Sequence, residues 1–262
     1  MRIASHNVHY IVLRRETGAW SLADWERRKP ALDAAFKELN ADIIAFQEME
    51  SFAGRSGSDI NLARDWLLEQ NPGYAVGATG PWREFPPTQP IFYREDLFTQ
   101  LDQGWFFFSD TPDVLYARTF NGGFAAFASW SEFEQISTGE RFKVVNLHTD
   151  FSSGSNRLRS IDLVAERIRP WIAAGERVIV LGDFNALSGW ETLTKLEDEG
   201  ISFLPVRGAT YHFNRGLNLF GAIDHIGVSE GLSGGQVHVL RKRYDGVFPS
   251  DHYPISADVF LN

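Results

Sequence analysis

The stretch RVIVLGDFN, residues 177–185, is a strongly apolar run that ends in polar side chains. Two more stretches have this form: ADIIAFQE, residues 41–48, and RFKVVNLHTDF, residues 141–151. Short apolar runs with polar ends are typical of buried β-strands. In α/β sheets the strand bodies fill the core, and ligand sites lie where the strands end. The three stretches therefore predict a buried sheet with a polar crevice at one end.

Segments with helical spacing of their apolar residues alternate with these strands. In the first, residues 21–40, Ser21 is the expected N-cap and Pro30 is expected to kink or divide the helix. Other helices are expected at residues 59–70, 156–173 and 189–200, and other strands at 2–10, 74–78, 90–94 and within 103–135. The chain shows no linker, internal repeat or low-complexity tract. We therefore expect a single α/β domain over residues 1–262.

The composition excludes several classes of chemistry. Hydrophobic residues make up 44% of the 262 residues, which suits a large buried core, and there is no Cys. The absence of Cys excludes disulfides, thiolate nucleophiles and Cys-ligated metal centres. The net charge is −9, from 25 basic and 34 acidic residues. Proteins that grip long nucleic acid carry a basic face, so this balance argues against a tight grip on duplex DNA.

The expected cellular location follows from the lack of targeting segments. The N-terminus MRIASHNVHY has no charged leader followed by an apolar stretch, and no segment approaches roughly 20 apolar residues. We therefore expect a cytoplasmic monomer without a membrane span, with secretion after removal of a leader left open.

Acidic, amide and imidazole side chains gather at the predicted strand ends. They are Asn7, Glu48, His148, Asp150, Asp183, Asn185, Asp224, Asp251 and His252. Carboxylate and amide oxygens are hard ligands that suit Mg²⁺ or Mn²⁺. Asp183 and Asn185 are two residues apart at a strand end, so their side chains are expected to point the same way. The pattern predicts one crevice, fed by six segments, that binds a divalent metal.

Some of these residues have a structural alternative. Asp251 and His252 stand in a stretch with good turn chemistry, Asp224 could be a buried hydrogen-bonded carboxylate, and Asp150 could anchor its loop. Beside GDFN we favour the functional interpretation for Asp251, His252 and Asp224. The remaining histidines are expected to be structural or surface residues: His6, His9, His212, His225 and His238.

Contacts to the substrate are expected from two arginines and from loops. Arg118 and Arg157 are candidates to bind phosphate, although a single Arg is more often a surface or ion-pair residue. Arg157 is the better candidate because it stands at the start of a predicted helix. Aromatic residues in loops are candidates to line a pocket: Trp82, Phe85 and Trp190.

Five short motifs occur in order along the chain: QE at 47–48, NLHTD at 146–150, GDFN at 182–185, IDHI at 223–226 and SDHYP at 250–254. With these motifs the chain resembles the endonuclease/exonuclease/phosphatase superfamily, which includes pancreatic-type deoxyribonucleases, exonuclease III and the nocturnin-like deadenylases. It is most similar to bacterial members near the deadenylase branch. The resemblance implies a four-layer α/β sandwich, in which helices flank two packed mixed sheets and the site lies at one end.

The resemblance also implies a metal site. Glu48 would bind the principal Mg²⁺ or Mn²⁺ ion, with Asn7 and Asp251 nearby.

The catalytic roles implied by the resemblance fall on five residues. Asp183 would orient or deprotonate the attacking water, and Asn185 would hold the phosphate or a second metal. His148 would donate to a phosphate oxygen. His252 would do the same, or act as a general acid or metal ligand, with Asp224 orienting its ring. Phosphoester hydrolysis needs these tasks: an aligned water, neutralised phosphate charge and a stabilised leaving oxygen.

The substrate is less defined than the chemistry. The chain has AIDH at 222–225 where the inositol-polyphosphate phosphatase branch has a Trp-Cys-Asp-Arg stretch, and its loop REFPPTQP at 83–90 is rich in proline. We expect a Mg²⁺-dependent phosphodiesterase of nuclease type, acting on a small or single-stranded phosphoester such as a nucleotide or a nucleic-acid end. The alternatives are a phosphomonoesterase on an inositol or sugar phosphate, and a non-catalytic binding module on the same scaffold.

Overall fold

The computed structural model describes residues 1–52, 58–121 and 124–262. The helices in these ranges are α1 (Leu22–Leu39), α2 (Leu62–Gln70), α3 (Gly154–Ala173) and α4 (Glu191–Glu197). The strands are β1 (Arg2–Asn7), β2 (Ile11–Val12), β3 (Ile43–Gln47), β4 (Ser51–Phe52), β5 (Tyr74–Gly77), β6 (Ile91–Arg94), β7 (Phe98–Phe107), β8 (Phe127–Gln135), β9 (Arg141–His148), β10 (Val178–Asp183), β11 (Ser202–Phe203), β12 (Asp224–Val228), β13 (Leu232–Gly234), β14 (His238–Val239) and β15 (Ile255–Leu261).

The strands form two large mixed sheets. The first has the order β13-β15-β1-β3-β6-β5, with β14 beside β15, and the second has the order β11-β12-β10-β9-β8-β7. A parallel pair lies inside each sheet, β1 with β3 and β9 with β10. Strands β2 and β4 form a separate two-stranded pair.

Alternation along the strands produces the four layers. Ile43 and Ala45 of β3 face the core between the sheets, while Ile44 and Phe46 face outward and pack with Phe36 of α1. In the second sheet, Ile179 and Leu181 face the same inner core, and Val178 and Val180 pack with α3 and α4. The order of layers is helix, sheet, sheet, helix, which confirms the predicted α/β sandwich.

Helix α1 is continuous through Pro30, so the expectation that this residue divides it is wrong. The Ser21 side chain caps the helix by accepting from the Asp24 amide at 3.1 Å. Trp25 before the proline and Leu32 after it belong to one buried cluster. Packing on both sides outweighs the hydrogen bond that an internal proline removes. In the described ranges, no helix is long and apolar enough to cross a membrane.

The two parallel pairs bring the motifs together. Asn7 at the end of β1 pairs with Gln47 at the end of β3, and His148 at the end of β9 pairs with Asp183 at the end of β10. Below these ends, Gln47 donates across the core to Asn146 Oδ1 at 2.7 Å, which joins the two sheets. The polar ends of four strands therefore open on one edge of the sandwich.

Candidate active site

Asp183 lies at the centre of the site, 1% exposed. Its Oδ2 atom accepts from Asn7 Nδ2 at 3.1 Å and lies 3.6 Å from His148 Nε2 and 3.7 Å from His252 Nε2. Its Oδ1 atom accepts from the Asn185 amide at 2.9 Å. Burial and the charge of Asp224 raise the pKa of Asp183 to about 6, although His252 and His148 oppose this shift. Three predicted motifs thus converge on one carboxylate.

Gly182 explains why the GDFN motif places Asp183 there. Its φ is 137°, and a Cβ on this residue would lie 2.0 Å from the Leu147 carbonyl oxygen. Since no side chain fits into that space, β10 can approach β9 this closely only with glycine. The close approach places Asp183 next to His148.

Asn7 joins Glu48 to Asp183. Its Nδ2 atom donates to Glu48 Oε1 and to Asp183 Oδ2, both at 3.1 Å. Glu48 has a φ of 55°, which turns the chain sharply after β3. One positively polarised NH₂ group therefore lies between two carboxylates, in the position where a cation would be bound. With its amide group rotated by 180°, Asn7 would offer its oxygen to a metal. Glu48, Asp183 and Asn7 fit a hard divalent cation.

His252 and Asp224 form a buried pair. His252 Nδ1 lies 2.9 Å from Asp224 Oδ2, and the exposed fractions of the two residues are 6% and 1%. Burial lowers the pKa of His252, but the charges of Asp224 and Asp183 raise it to about 10. The imidazole is therefore a cation at neutral pH, with Nε2 directed toward Asp183. By distance, Asp183, Asp224 and His252 could also hold a metal ion. Asp224 is already hydrogen-bonded to His252. We therefore interpret Asp224 and His252 as an ion pair beside Asp183 and not as metal ligands.

Asp251 lies on the turn that precedes β15. The turn that carries it is tied to β1, because Ser250 Oγ donates to the Asn7 carbonyl at 2.7 Å. Asp251 Oδ2 lies 3.9 Å from His9 Nε2. His9, expected to be structural or a surface residue, is a buried neighbour of the site.

Asn185 contributes its backbone to the cluster and its side chain to a loop. Its φ is 46°, and its Nδ2 atom donates to the Thr149 carbonyl at 2.9 Å. This bond holds the end of NLHTD against GDFN. The residue is half-buried.

The hydrogen bonds of Asp150 and Arg157 stay within the segment that joins β9 to α3 and the start of that helix. Asp150 accepts from the backbone amides of Ser152 and Ser153 at 2.7 and 3.0 Å, and from Asn156 Nδ2 at 2.9 Å. Arg157 donates to the carbonyls of Asp150 and Phe151. Asp150 therefore anchors its loop, and its role in substrate binding stays a prediction. Arg118 is exposed on the segment that follows β7, and its role in substrate binding stays a prediction.

The three loop aromatics have different surroundings. Phe85 is 7% exposed and belongs to the core between the sheets, so its expected role as a pocket residue is wrong. Trp82 is half-buried against Tyr116, with ring centroids 6.4 Å apart. Trp190 is 47% exposed, and the Arg157 guanidinium lies 5.9 Å from its ring.

Arg28 supports the site and was missed in the sequence. It is 1% exposed and donates to the carbonyls of Val8 at 2.9 Å, Pro249 at 2.8 Å and His9 at 3.3 Å. Its Nε atom donates to Asp24 Oδ2 at 2.9 Å. Arg28 thereby ties the segment after Asn7 to the turn before Asp251. The Asp24–Arg28 spacing of four was the available signal, and it is common on exposed helix faces.

Tyr211 was also missed. It forms a backbone bridge with His252, and the two ring centroids lie 4.9 Å apart. Nothing in its local sequence distinguishes it from a core aromatic residue.

Comparison with known proteins identifies the family of this chain. The Endonuclease/Exonuclease/phosphatase family model matches residues 4–252. A mannosyl-6-phosphatase of Bacteroides thetaiotaomicron VPI-5482 is similar in structure, with a TM-score of 0.82, 24% identity and 100% of each chain covered. A conserved protein of unknown function from Enterococcus faecalis V583 has a TM-score of 0.80 and 24% identity, again over 100% of each chain. The human Nocturnin catalytic domain has a TM-score of 0.65 and 16% identity, over 100% of this chain and 94% of that chain.

A sequence comparison with curated proteins gave no match. The family model nevertheless spans the predicted site residues from Asn7 to His252. The chain therefore belongs to the endonuclease/exonuclease/phosphatase family.

Proposed function

We propose that this protein is a divalent-metal-dependent phosphoester hydrolase that acts through Glu48, Asp183 and the His252–Asp224 pair. Members of its family are hydrolases that act on phosphoesters. One observation carries the proposal for this chain. Buried Asp183 has Asn7 and Glu48 on one side, and a histidine held as a cation by Asp224 on the other.

The acidic side of the site suits a hard cation. Glu48 and the oxygen of a flipped Asn7, with Asp251 nearby, would hold Mg²⁺ or Mn²⁺, which supplies positive charge to a phosphate oxygen when bound. Asp183 orients a water and accepts its proton. A pKa raised to about 6 suits a base near neutral pH, because such a group is ionised yet binds a proton readily.

The basic side of the site suits the phosphate. His252 presents a charged Nε2–H group to a phosphate oxygen, while Asp224 fixes the ring through Nδ1. His148 donates a second hydrogen bond, and the Asn185 side chain lies at the opening. Donors held in place by the fold stabilise charge that develops in the transition state without having to reorganise.

We propose that the first substrate class is a phosphodiester, either a small molecule or a single-stranded nucleic-acid end. The net charge of −9 gives no general attraction for a polyanion. A phosphomonoesterase acting on a sugar phosphate is the second candidate. It is favoured by the similarity to a mannosyl-6-phosphatase over the full length of both chains.

The test measures hydrolysis of bis-p-nitrophenyl phosphate and p-nitrophenyl phosphate with Mg²⁺, Mn²⁺ or EDTA. We expect metal-dependent turnover that falls by about 10²-fold or more in Asp183→Asn. Asp162→Asn is the matched control, because Asp162 is an exposed carboxylate of α3 paired with Lys195. The ratio of the two rates decides between diester and monoester. No turnover of either ester with any metal would favour the binding module instead.

A further inference from the structure

Three aromatic rings form a row that leads from His252 to the solvent. The Tyr211 ring lies 4.9 Å from the His252 ring and 4.4 Å from the Phe213 ring, and Phe213 lies 6.2 Å from Phe220. We refer to Tyr211, Phe213 and Phe220 as the aromatic row. Its inner end touches the histidine proposed to bind phosphate.

The outer part of the row is open. Phe213 is 41% exposed and Phe220 is 60% exposed, and Leu219 beside it is 67% exposed. Single exposed apolar residues are ordinary, whereas neighbouring ones on a surface mark a binding site. These three lie together on the connection between β11 and β12.

The backbone holds Phe213 in this exposed position. Its φ is 58°, in the left-handed region that an aromatic residue rarely adopts. The segment before it is fixed to the turn that carries Asp251 and His252, since the His212 amide donates to the Asp251 carbonyl at 2.9 Å and the Tyr253 amide donates to the Thr210 carbonyl at 2.7 Å. The turn that positions Asp251 and His252 therefore also positions the row. Strained residues persist where the surrounding structure holds them, and they are frequent at ligand sites.

We propose that the aromatic row binds the alcohol portion of the substrate, and that this portion presents a flat ring face. The inference rests on the proposed phosphoester hydrolase function. A phosphate that accepts from His252 places the group esterified to it beside Tyr211 and Phe213, because the rings are in contact. A partner protein on the row would cover the approach to His252, so the row fits the substrate itself. Nucleobases and sugar rings both have the required face.

The test compares ring-bearing with acyclic substrates. Wild type, Phe213→Ala and Phe220→Ala are assayed for kcat/KM on a nucleoside 5′-phosphate, a hexose 6-phosphate and glycerol phosphate, each as monoester and as methyl diester. In both variants we expect the ratio of kcat/KM for a ring-bearing substrate over glycerol phosphate to fall about tenfold. A ratio that falls for the nucleoside phosphate alone identifies the ring as a nucleobase. A ratio that falls for the hexose phosphate identifies it as a sugar ring. Both side chains are exposed, so their truncation leaves the core intact.

Two controls define the outcome. Phe260→Ala removes a ring that is 57% exposed near the end of β15, beyond the pairing of Asp258 with Arg2, and should keep the wild-type ratio. Phe213→Trp keeps a stacking face and should also keep it. The proposed role of the aromatic row is overturned if the ratio is unchanged in both alanine variants, or if the wild type shows no preference for ring-bearing substrates. The proposed hydrolase function stands in either case. A wild type that cleaves none of the six esters overturns both.

Discussion

His252 and Asp224 form a buried hydrogen bond of 2.9 Å between Nδ1 and Oδ2, and this bond leaves Nε2 of the histidine 3.7 Å from Asp183. The pair couples two chain segments 28 residues apart. It converts a histidine that burial alone would keep neutral into a cation facing the central carboxylate.

Replacing Asp224 by Asn should therefore lower the pKa of His252 from its value of about 10, because the largest charge that raises this pKa is removed. An NMR titration of the histidine ring in metal-free protein measures the shift directly. Phosphoester turnover should fall by about 10²-fold or more. Asp258→Asn, which removes an exposed carboxylate paired with Arg2, is the control and should leave both readouts unchanged. A His252 midpoint that does not move in Asp224→Asn would contradict the assignment.

Magnesium should raise the melting temperature, because an ion that binds only the folded state stabilises it by mass action. Glu48→Gln should weaken this response strongly, since it removes a carboxylate that faces Asn7. Thermal unfolding is followed with and without millimolar MgCl₂. Glu69→Gln, on the exposed face of α2, should respond as wild type does. Equal responses in wild type and Glu48→Gln would argue against a metal site at Glu48.

Arg28→Met should lower both stability and the apparent affinity for the metal. The substitution leaves three buried carbonyls without their donor and Asp24 without its partner, a change that costs about 3–5 kcal/mol when a buried pair is broken. Urea unfolding gives the stability, and the Mg²⁺ dependence of turnover gives the affinity.

Arg27→Met is the matched control for Arg28→Met. Arg27 also pairs with Asp24, but its side chain is exposed. Its loss should cost about 1 kcal/mol or less. A variant Arg28→Met that folds with unchanged Mg²⁺ dependence would show that Arg28 is structural and does not position the site.

Acid should destabilise the protein partly through His212. Its ring is buried 4.0 Å from the Tyr253 ring, and burial lowers its pKa to about 4. The folded state keeps this ring neutral, whereas the unfolded chain takes up a proton below about pH 6.5. Stability is therefore lost as the pH falls from about 6.5 toward 4.

His212→Phe should reduce this loss, which urea unfolding at pH 7.5 and pH 5 would measure. Part of the acid sensitivity should remain in this variant because of His6, whose pKa burial lowers to about 3. His238→Phe, at an exposed position, should leave the pH dependence as in wild type. The same acid dependence in His212→Phe and wild type would contradict the prediction.

Gly182→Ala should prevent the close approach of β10 and β9. The new Cβ would meet the Leu147 oxygen at 2.0 Å, so the strands must separate. Gly175→Ala is the control for the cost of placing a side chain at a positive φ. Gly175 also has a positive φ, but it has open space around it, so an added Cβ meets no neighbouring atom. Gly175→Ala should cost about 1 kcal/mol and leave turnover intact, whereas Gly182→Ala should lose activity and most of its stability. Equal effects of the two substitutions would show that the close approach is unimportant.

Much of this architecture is local in origin and could be read from the residues in order. The runs 41–48, 141–151 and 177–185 predict buried strands with polar ends, and β3, β9 and β10 end at Gln47, His148 and Asp183. The motif order identifies the family, and the residue types at the strand ends indicate a hard cation and phosphoester chemistry. These properties depend on periodicity, composition and order, which neighbouring residues define.

Tertiary structure decided which polar residues face one another. Asp150 has the same residue type as Asp183, yet the hydrogen-bond partners of Asp150 and of Arg157 lie in their own loop. Arg28 looks like a surface residue of an amphipathic helix, but its carbonyl partner Pro249 is 221 positions away. Phe85 and Phe213 are both aromatic residues outside regular strands; Phe85 is in the core, whereas Phe213 is exposed and contacts Tyr211. Such differences come from packing between segments distant in sequence, and local sequence patterns do not contain that information.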